Sequence, residues 1–161
     1  MKATLSVLVE NKPGVLTRVA GLFARRGFNI DSLVVAESEN PTVSRMTITV
    51  DERDQSVEQV TKQLHKLINV LKITSLEPTE SIERELLLVK VKADGEARFE
   101  IMQMVEIFRA KIIDVSHEVL IIELTGTRDK VSAFMELMDS FGVIELMRTG
   151  RIAMGRGKRP T

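Results

Sequence analysis

The sequence contains no cysteine, tryptophan or tyrosine, and only two histidines among 161 residues. Without cysteine there is no disulfide, no thiolate nucleophile and no cysteine-based zinc cluster, which fits a reducing compartment. Net charge is missing too. Lys plus Arg and Asp plus Glu both number 23, so no global field draws the chain towards nucleic acid or an anionic membrane. No apolar run approaches the roughly 20 residues that span a bilayer. The opening stretch is broken by Thr4 and Ser6 and lacks the cleavage site of a signal peptide. These absences lead us to expect a cytoplasmic protein with neither nucleic acid nor membrane as partner.

Catalytic chemistry is equally scarce. His65 and His117 have no companion at catalytic or metal-ligand spacing, so we expect two surface or boundary histidines and no metal site. Glu77, Glu80, Glu83 and Glu85 straddle a break in the pattern, where a solvated hinge explains them better than paired acid–base work. Gly150, Gly155 and Gly157 fall in a basic tail with no strand–turn–helix around them, which argues against a dinucleotide loop. We expect that tail to be flexible or to dock on a protein partner. The expectation is a chain without catalytic residues or cofactors of its own.

What the sequence does contain is a pattern that occurs twice. Leu5, Val7 and Val9 alternate along a half-buried strand. The break at residues 11–14 leads into a helical period of Leu16, Val19, Leu22 and Phe23, ended by Gly27. Residues 30–36 form a second strand, Met46, Ile48 and Val50 mark a third, and Val57, Val60, Leu64 and Leu67 a second helix. Residues 70–76 form the fourth strand. After 77–80 the order returns: strand 86–91, helix 99–108, strands 111–115 and 119–124, a helix carrying Val131, Phe134, Met135, Met138 and Phe141, and strand 143–147. The fold class is therefore α+β, two tandem ferredoxin-like βαββαβ domains with antiparallel sheets and helices on one face. Residues 1–77 form the first domain, and 78–161, with the tail, the second.

Domains this small are marginal alone. The second strand normally lies at a sheet edge, and its centre, Leu33-Val34-Val35-Ala36, carries no charge, which invites pairing with another chain. The helix at 99–108 is apolar nearly all round and is expected to face a partner. We therefore expect an obligate oligomer.

One segment carries positive chemistry. Pro13 and Gly14 turn the chain sharply into the first helix, whose first N–H groups and dipole form a place for a carboxylate. Asn11 and Asn29 add amides that can bond an ammonium or a carboxylate. Val15, Leu16, Ile30 and Val35 could line a small aliphatic pocket if two chains pair through the second strand. The residues alone leave open a plainer alternative, a helix N-terminus flanked by two turn-forming asparagines.

Asn-Lys-Pro-Gly-Val-Leu at 11–16 resembles the amino-acid-binding loop of ACT domains. Arg26-Gly27-Phe28-Asn29-Ile30-Asp31-Ser32-Leu33, Ser44-Arg45-Met46-Thr47-Ile48 and Gln63-Leu64-His65-Lys66-Leu67 resemble the small subunits of acetolactate (acetohydroxyacid) synthase. The likeness continues through residues 83–91, 107–115, 123–126, 148–150 and 155–157, although Gly155 stands where a serine is expected. The resemblance implies an N-terminal ACT domain that forms a homodimer and binds valine, or another branched-chain amino acid, at the dimer interface. It also implies a C-terminal ACT-like domain that contacts a large catalytic subunit, which is activated and made subject to feedback inhibition. Thiamine diphosphate, Mg²⁺ and FAD would sit on that catalytic subunit. The competing expectations are an ACT sensor of a different biosynthetic enzyme, an RNA-binding ferredoxin-like module, disfavoured by the missing sheet aromatics, and a small enzyme of this fold.

Overall fold

The structure, a computed structural model, describes residues 2–53 and 56–161. The chain runs β1 (Lys2–Glu10), α1 (Val15–Arg26), β2 (Ile30–Glu37), β3 (Val43–Asp51), α2 (Val57–Leu64) and β4 (Val70–Leu76). It continues with β5 (Ser81–Lys92), α3 (Gly95–Ile107), β6 (Lys111–Val115), β7 (Val119–Gly126), α4 (Arg128–Asp139), β8 (Val143–Arg148) and a short β9 (Ile152–Gly155). The predicted βαββαβ repeat is present twice. The sheets have strand orders β2-β3-β1-β4 and β6-β7-β5-β8, with every pair antiparallel. β2 and β6 thus hold equivalent edge positions.

Each repeat has its own core, as the alternation requires. In the first, Leu5, Val7, Val9, Met46, Ile48 and Val50 point from the sheet onto Val15, Val19, Leu22, Phe23, Val60 and Leu64 of the two helices. In the second, Leu87, Val89, Val91, Leu120, Ile122 and Leu124 meet Ile101, Val105, Val131, Phe134 and Met138. An edge-to-face phenylalanine pair sits in each: Phe23 with Phe28 at 5.9 Å, and Phe108 with Phe134 at 5.2 Å.

Several elements differ from their expected bounds. α3 starts at Gly95, before the apolar run at 99–108 that signals it, because Asp94 takes the extended N-cap conformation. α2 ends at Leu64, where Lys66 and Leu67 turn tightly by bonding Gln63 and Leu64, so Leu67 reaches the core from the turn. α3 is not apolar all round: Ile101 and Val105 are buried, while Phe99, Met102 and Ile107 share the outside with Glu100, Gln103 and Glu106. The carboxylates at 77–85 are not all solvated. Glu85 is only 5% exposed and ion-paired with Arg148, and Glu80 is ion-paired with Arg159.

The largest difference concerns the tail. The chain divides into two compact units, one running to Ile82 and including Arg151–Thr161, the other Glu83–Gly150. The sequence assigned the tail to the domain 78–161; in the structure it returns to the first unit. Nor is it a loose end. It contributes β9, which pairs with β5 and contacts β4, and Arg151 is 8% exposed. Its destination is the sheet face opposite α1 and α2, where alternation places hydroxyls. Ser32, Thr49 and Thr4 stand in register across β2, β3 and β1, and Thr47, Ser6 and Thr74 across β3, β1 and β4. Thr4, Ser6, Thr47 and Thr49 are buried, and Thr49 Oγ1 has no hydrogen-bond partner among the described residues.

Two cores without shared members predict separable losses. Phe23→Ala and Phe134→Ala should each cost about 3–5 kcal/mol. Hydrogen exchange should show each loss first in its own unit, and uniform deprotection by either variant would contradict the division.

Candidate functional site

β1 ends at Glu10, level with Val43 of β3, and the next four residues turn the chain into α1. The Asn11 N–H donates to the Thr42 carbonyl at 2.8 Å, and its Nδ2 donates to the Pro41 carbonyl at 2.9 Å. Asn11 thereby ties the loop to the β2–β3 turn while its side-chain oxygen remains an acceptor. Lys12 reaches back to Glu10 at 2.6 Å, and this hydrogen-bonded ammonium holds the Glu10 carboxyl below its ordinary range. Gly14, the N-cap of α1, has φ 84°, a left-handed conformation that glycine adopts without steric cost.

The start of α1 is electrostatically unlike the other helix starts. α2, α3 and α4 carry Glu58, Glu96 and Asp129 in their first turns, whereas α1 has no acid there. Ser56 and Thr127 cap α2 and α4, donated to by the N–H groups of Gln59 and Lys130. No side chain caps α1. Val15 N–H reaches the Lys12 carbonyl only at 3.4 Å, and the N–H groups of Leu16 and Thr17 meet no described acceptor. A helix start without acid or cap keeps its partial positive charge for an external anion.

The equivalent place in the second unit carries negative charge, although no side-chain hydrogen bond caps α3 either. Asp94 stands at the N-cap of α3, with Glu96 in the first turn. Arg98 closes the loops beside it, donating to the carbonyls of Ala93, Ser116 and His117 at 2.9, 2.6 and 2.7 Å. The duplication therefore retained the fold at both places and left only the first bare.

The sequence-predicted residues lie as follows. Asn11, Pro13 and Gly14 are exposed, Val15 is buried in the core, and Leu16 is 45% exposed beside them. Asn29 is exposed just ahead of β2, with Nδ2 3.4 Å from Asp31 Oδ1, while the other Asp31 oxygen pairs with Lys2. Ile30 is half-buried and Val35 lies open on the edge strand. One chain does not bring these together. Ile30 is level with Val50 and Ala3, at the opposite end of the sheet from Glu10, a separation of roughly 24 Å at 3.4 Å per residue.

The sequence reading did not single out Arg18 and Asn69. Arg18 Nη1 donates to Asn69 Oδ1 at 2.6 Å, and the Asn69 carbonyl accepts from the Glu10 N–H at 3.0 Å. This bridge pins α1 against β1 beside the bare helix start. No sequence signal joins positions 51 residues apart. His65 and His117 are both exposed, and among the described residues no group of His, Cys, Asp or Glu could hold a metal ion. No helix of the described residues is long and apolar enough to cross a membrane.

Comparison with known proteins resolves the family. A family model described as the AHAS small subunit-like ACT domain matches residues 5–72, and one described as the small subunit of acetolactate synthase matches residues 84–157. The chain belongs to the acetolactate synthase small subunit family. The "Probable acetolactate synthase small subunit" of Archaeoglobus fulgidus is 57% identical over 99% of this chain and 99% of its own length. The acetolactate synthase small subunit of Mycolicibacterium smegmatis is 52% identical over 97% of this chain and 92% of that protein. The crystal structure of the acetolactate synthase small subunit from Thermotoga maritima matches with a TM-score of 0.90 at 50% identity, covering 99% of both chains. As a regulatory subunit of this family, the chain carries its ACT domain in the first repeat, where the bare helix start lies.

A Cβ added at Gly14 meets nothing within 4 Å, so in the chain alone the backbone angle sets the cost of substitution. Gly14→Ala should lower stability by about 1–2 kcal/mol, measured by urea denaturation. An unchanged midpoint would mean that the left-handed turn is not maintained.

Proposed function

We propose that this chain is the non-catalytic regulatory subunit of an acetolactate synthase and that its first unit senses valine or a related branched-chain amino acid. The observation that carries the reading is the start of α1, alone among the four helices of the described residues in lacking both an acid in its first turn and a side-chain cap. The effector's carboxylate would lie against the N–H groups of residues 14–16, and its ammonium against the Asn11 side-chain oxygen.

The sheet geometry supports a shared site. β1 and β2 are both antiparallel to β3, so they run the same way, with Asn29 at one end of β2 and the Asn11–Gly14 loop at the other. Two copies joined by antiparallel pairing of their β2 edges would interchange those ends. Pairing centred between Leu33 and Val34 sets Ile30 of one copy opposite Glu37 of the other. Asn29 of one copy then approaches the bare helix start of its partner, while Leu16, Ile30 and Val35 supply the aliphatic wall. The homodimer thus completes two equivalent sites, and effector binding stabilises the dimer by mass action.

The catalytic large subunit is the partner that condenses the substrates, and it carries thiamine diphosphate, Mg²⁺ and FAD. The second unit serves activation of that subunit, through a surface that includes Phe99, Met102 and Ile107 on α3, the last 76% exposed. Apolar side chains so placed fit a protein interface better than solvent.

Three measurements check this reading. The chain alone should form no acetolactate, and mixing it with its large subunit should raise turnover and make it valine-sensitive. Gly14→Asp sets a like charge beside the effector's carboxylate and should weaken valine by at least roughly 2 kcal/mol, while Asn29→Ala should cost about 1–3 kcal/mol, or 5- to 150-fold in calorimetric affinity. Val34→Lys should weaken self-association and valine binding together. A monomeric unmodified chain at micromolar concentration, or unchanged valine affinity in both site variants, refutes the shared site.

A further inference from the structure

Two passages of chain join the units, the outgoing one after β4 and the returning one that begins at Arg151. The returning segment is fastened to the first unit along its length. At its start, the Arg151 N–H donates to Ser32 Oγ of β2 at 3.2 Å. Near its end, Arg45 Nη1 donates both to Ser6 Oγ at 3.2 Å and to the main-chain oxygen of Thr161 at 3.1 Å. Arg45 lies on β3 opposite Ala36 of β2, so one attachment holds β2 itself and the other holds its neighbouring strand β3 and, through Ser6, β1. Between them the Gly155 N–H donates to Thr161 Oγ1 at 2.7 Å, closing the segment on itself. The outgoing passage is clamped to the same segment: the Arg156 N–H donates to the Glu80 carbonyl at 2.9 Å, and Arg159 pairs with the Glu80 carboxylate.

We propose that Arg151–Thr161 is the strap through which occupation of the effector site at β2 is transmitted to the second unit. The inference rests on the effector reading above. Ser32 lies three residues after Asn29, so the strap grips β2 beside a group assigned to the effector, and Arg45 anchors the strap's far end to β3 opposite the residue after Val35. Gly150, covalently bonded to Arg151, is the last residue of the second unit. An effector that draws the start of β2 towards a partner copy must either carry Arg151 along or break its bond to Ser32. In the first case the displacement passes directly into the chain leaving β8. In the second it forfeits a part-buried hydrogen bond, so the two states of the strap differ in free energy and the effector can bias them. Ser32 and Arg45 act through the strap and touch no effector atom, which makes them positioning residues.

The test uses the full chain reconstituted with its catalytic subunit and L-valine as the probe. Ser32→Ala removes the acceptor at one end, Ser32→Thr restores an oxygen there, and Arg45→Met removes the grip at the other end. Calorimetry should find valine affinity within about twofold of the unaltered chain in all three. The ratio of turnover without valine to turnover at saturating valine should fall at least about 5-fold in Ser32→Ala and Arg45→Met, the lower end of usual couplings between sites, and recover in Ser32→Thr. Amide exchange at Arg151 should also change when valine is added to the unaltered complex. Normal inhibition in Ser32→Ala and Arg45→Met with normal valine binding overturns the strap and leaves the effector site standing. Loss of valine binding in both overturns it as well, because the strap would then be part of the site. Valine that fails to bind the unaltered chain removes the effector reading and this inference together.

Discussion

Two helices can cover only one face of a four-stranded antiparallel sheet, and the rest of this molecule follows from how the remaining surfaces are settled. A strand alternates its side chains, so burying Leu5, Val7 and Val9 under α1 and α2 commits Thr4, Ser6 and Leu8 to the far side. In the first unit that side is lined with serine and threonine, and it is met by a segment that has passed through the whole second unit before coming back. Hydroxyls suit this arrangement, because they can bond the returning backbone directly, as Ser32 Oγ accepts from the Arg151 N–H. The helices, the far face and the open β2 edge are three consequences of one alternating pattern.

The two repeats share an architecture and differ where charge decides what a helix start can bind. α3 has Asp94 and Glu96 at its positive end and an arginine locked over the adjoining carbonyls. α1 has Gly14, no acid and no cap. Satisfying the dipole from within stabilises a helix and removes its capacity to attract an outside anion. The first repeat gives up that stabilisation and leaves the positive end of α1 open to an outside anion.

Much of this was legible in the sequence. The period-two runs of β1, β3, β5 and β7 and the helical stripes of α1 and α4 mark their elements because each buries a single face. Gly14 and Gly27 mark the ends of α1 because both need positive φ. The segments that escaped lack such a periodic face. β9 is four residues long and lies among glycines and arginines; its order comes from β5 and from contacts made across more than a hundred residues, such as Arg151 with Ser32. Glu85 resembled its solvated neighbours until Arg148, 63 residues away, was placed against it. The candidate site was legible as a motif at 11–16 and as Asn29. Their placement at opposite ends of a sheet is a property of register, which no local pattern records.

The discontinuity of the first unit also bears on how it is made. Its strands β1 to β4 emerge from the ribosome with the hydroxyl face still bare, and Arg151 follows Leu76 only after the whole Glu83–Gly150 unit has been synthesised. At 5–20 residues per second, this interval lasts on the order of 4–15 s. The nascent first repeat therefore waits as a half-dressed sheet until its own final segment arrives. Vectorial synthesis thus makes the first unit, although begun first, the last to receive its final segment.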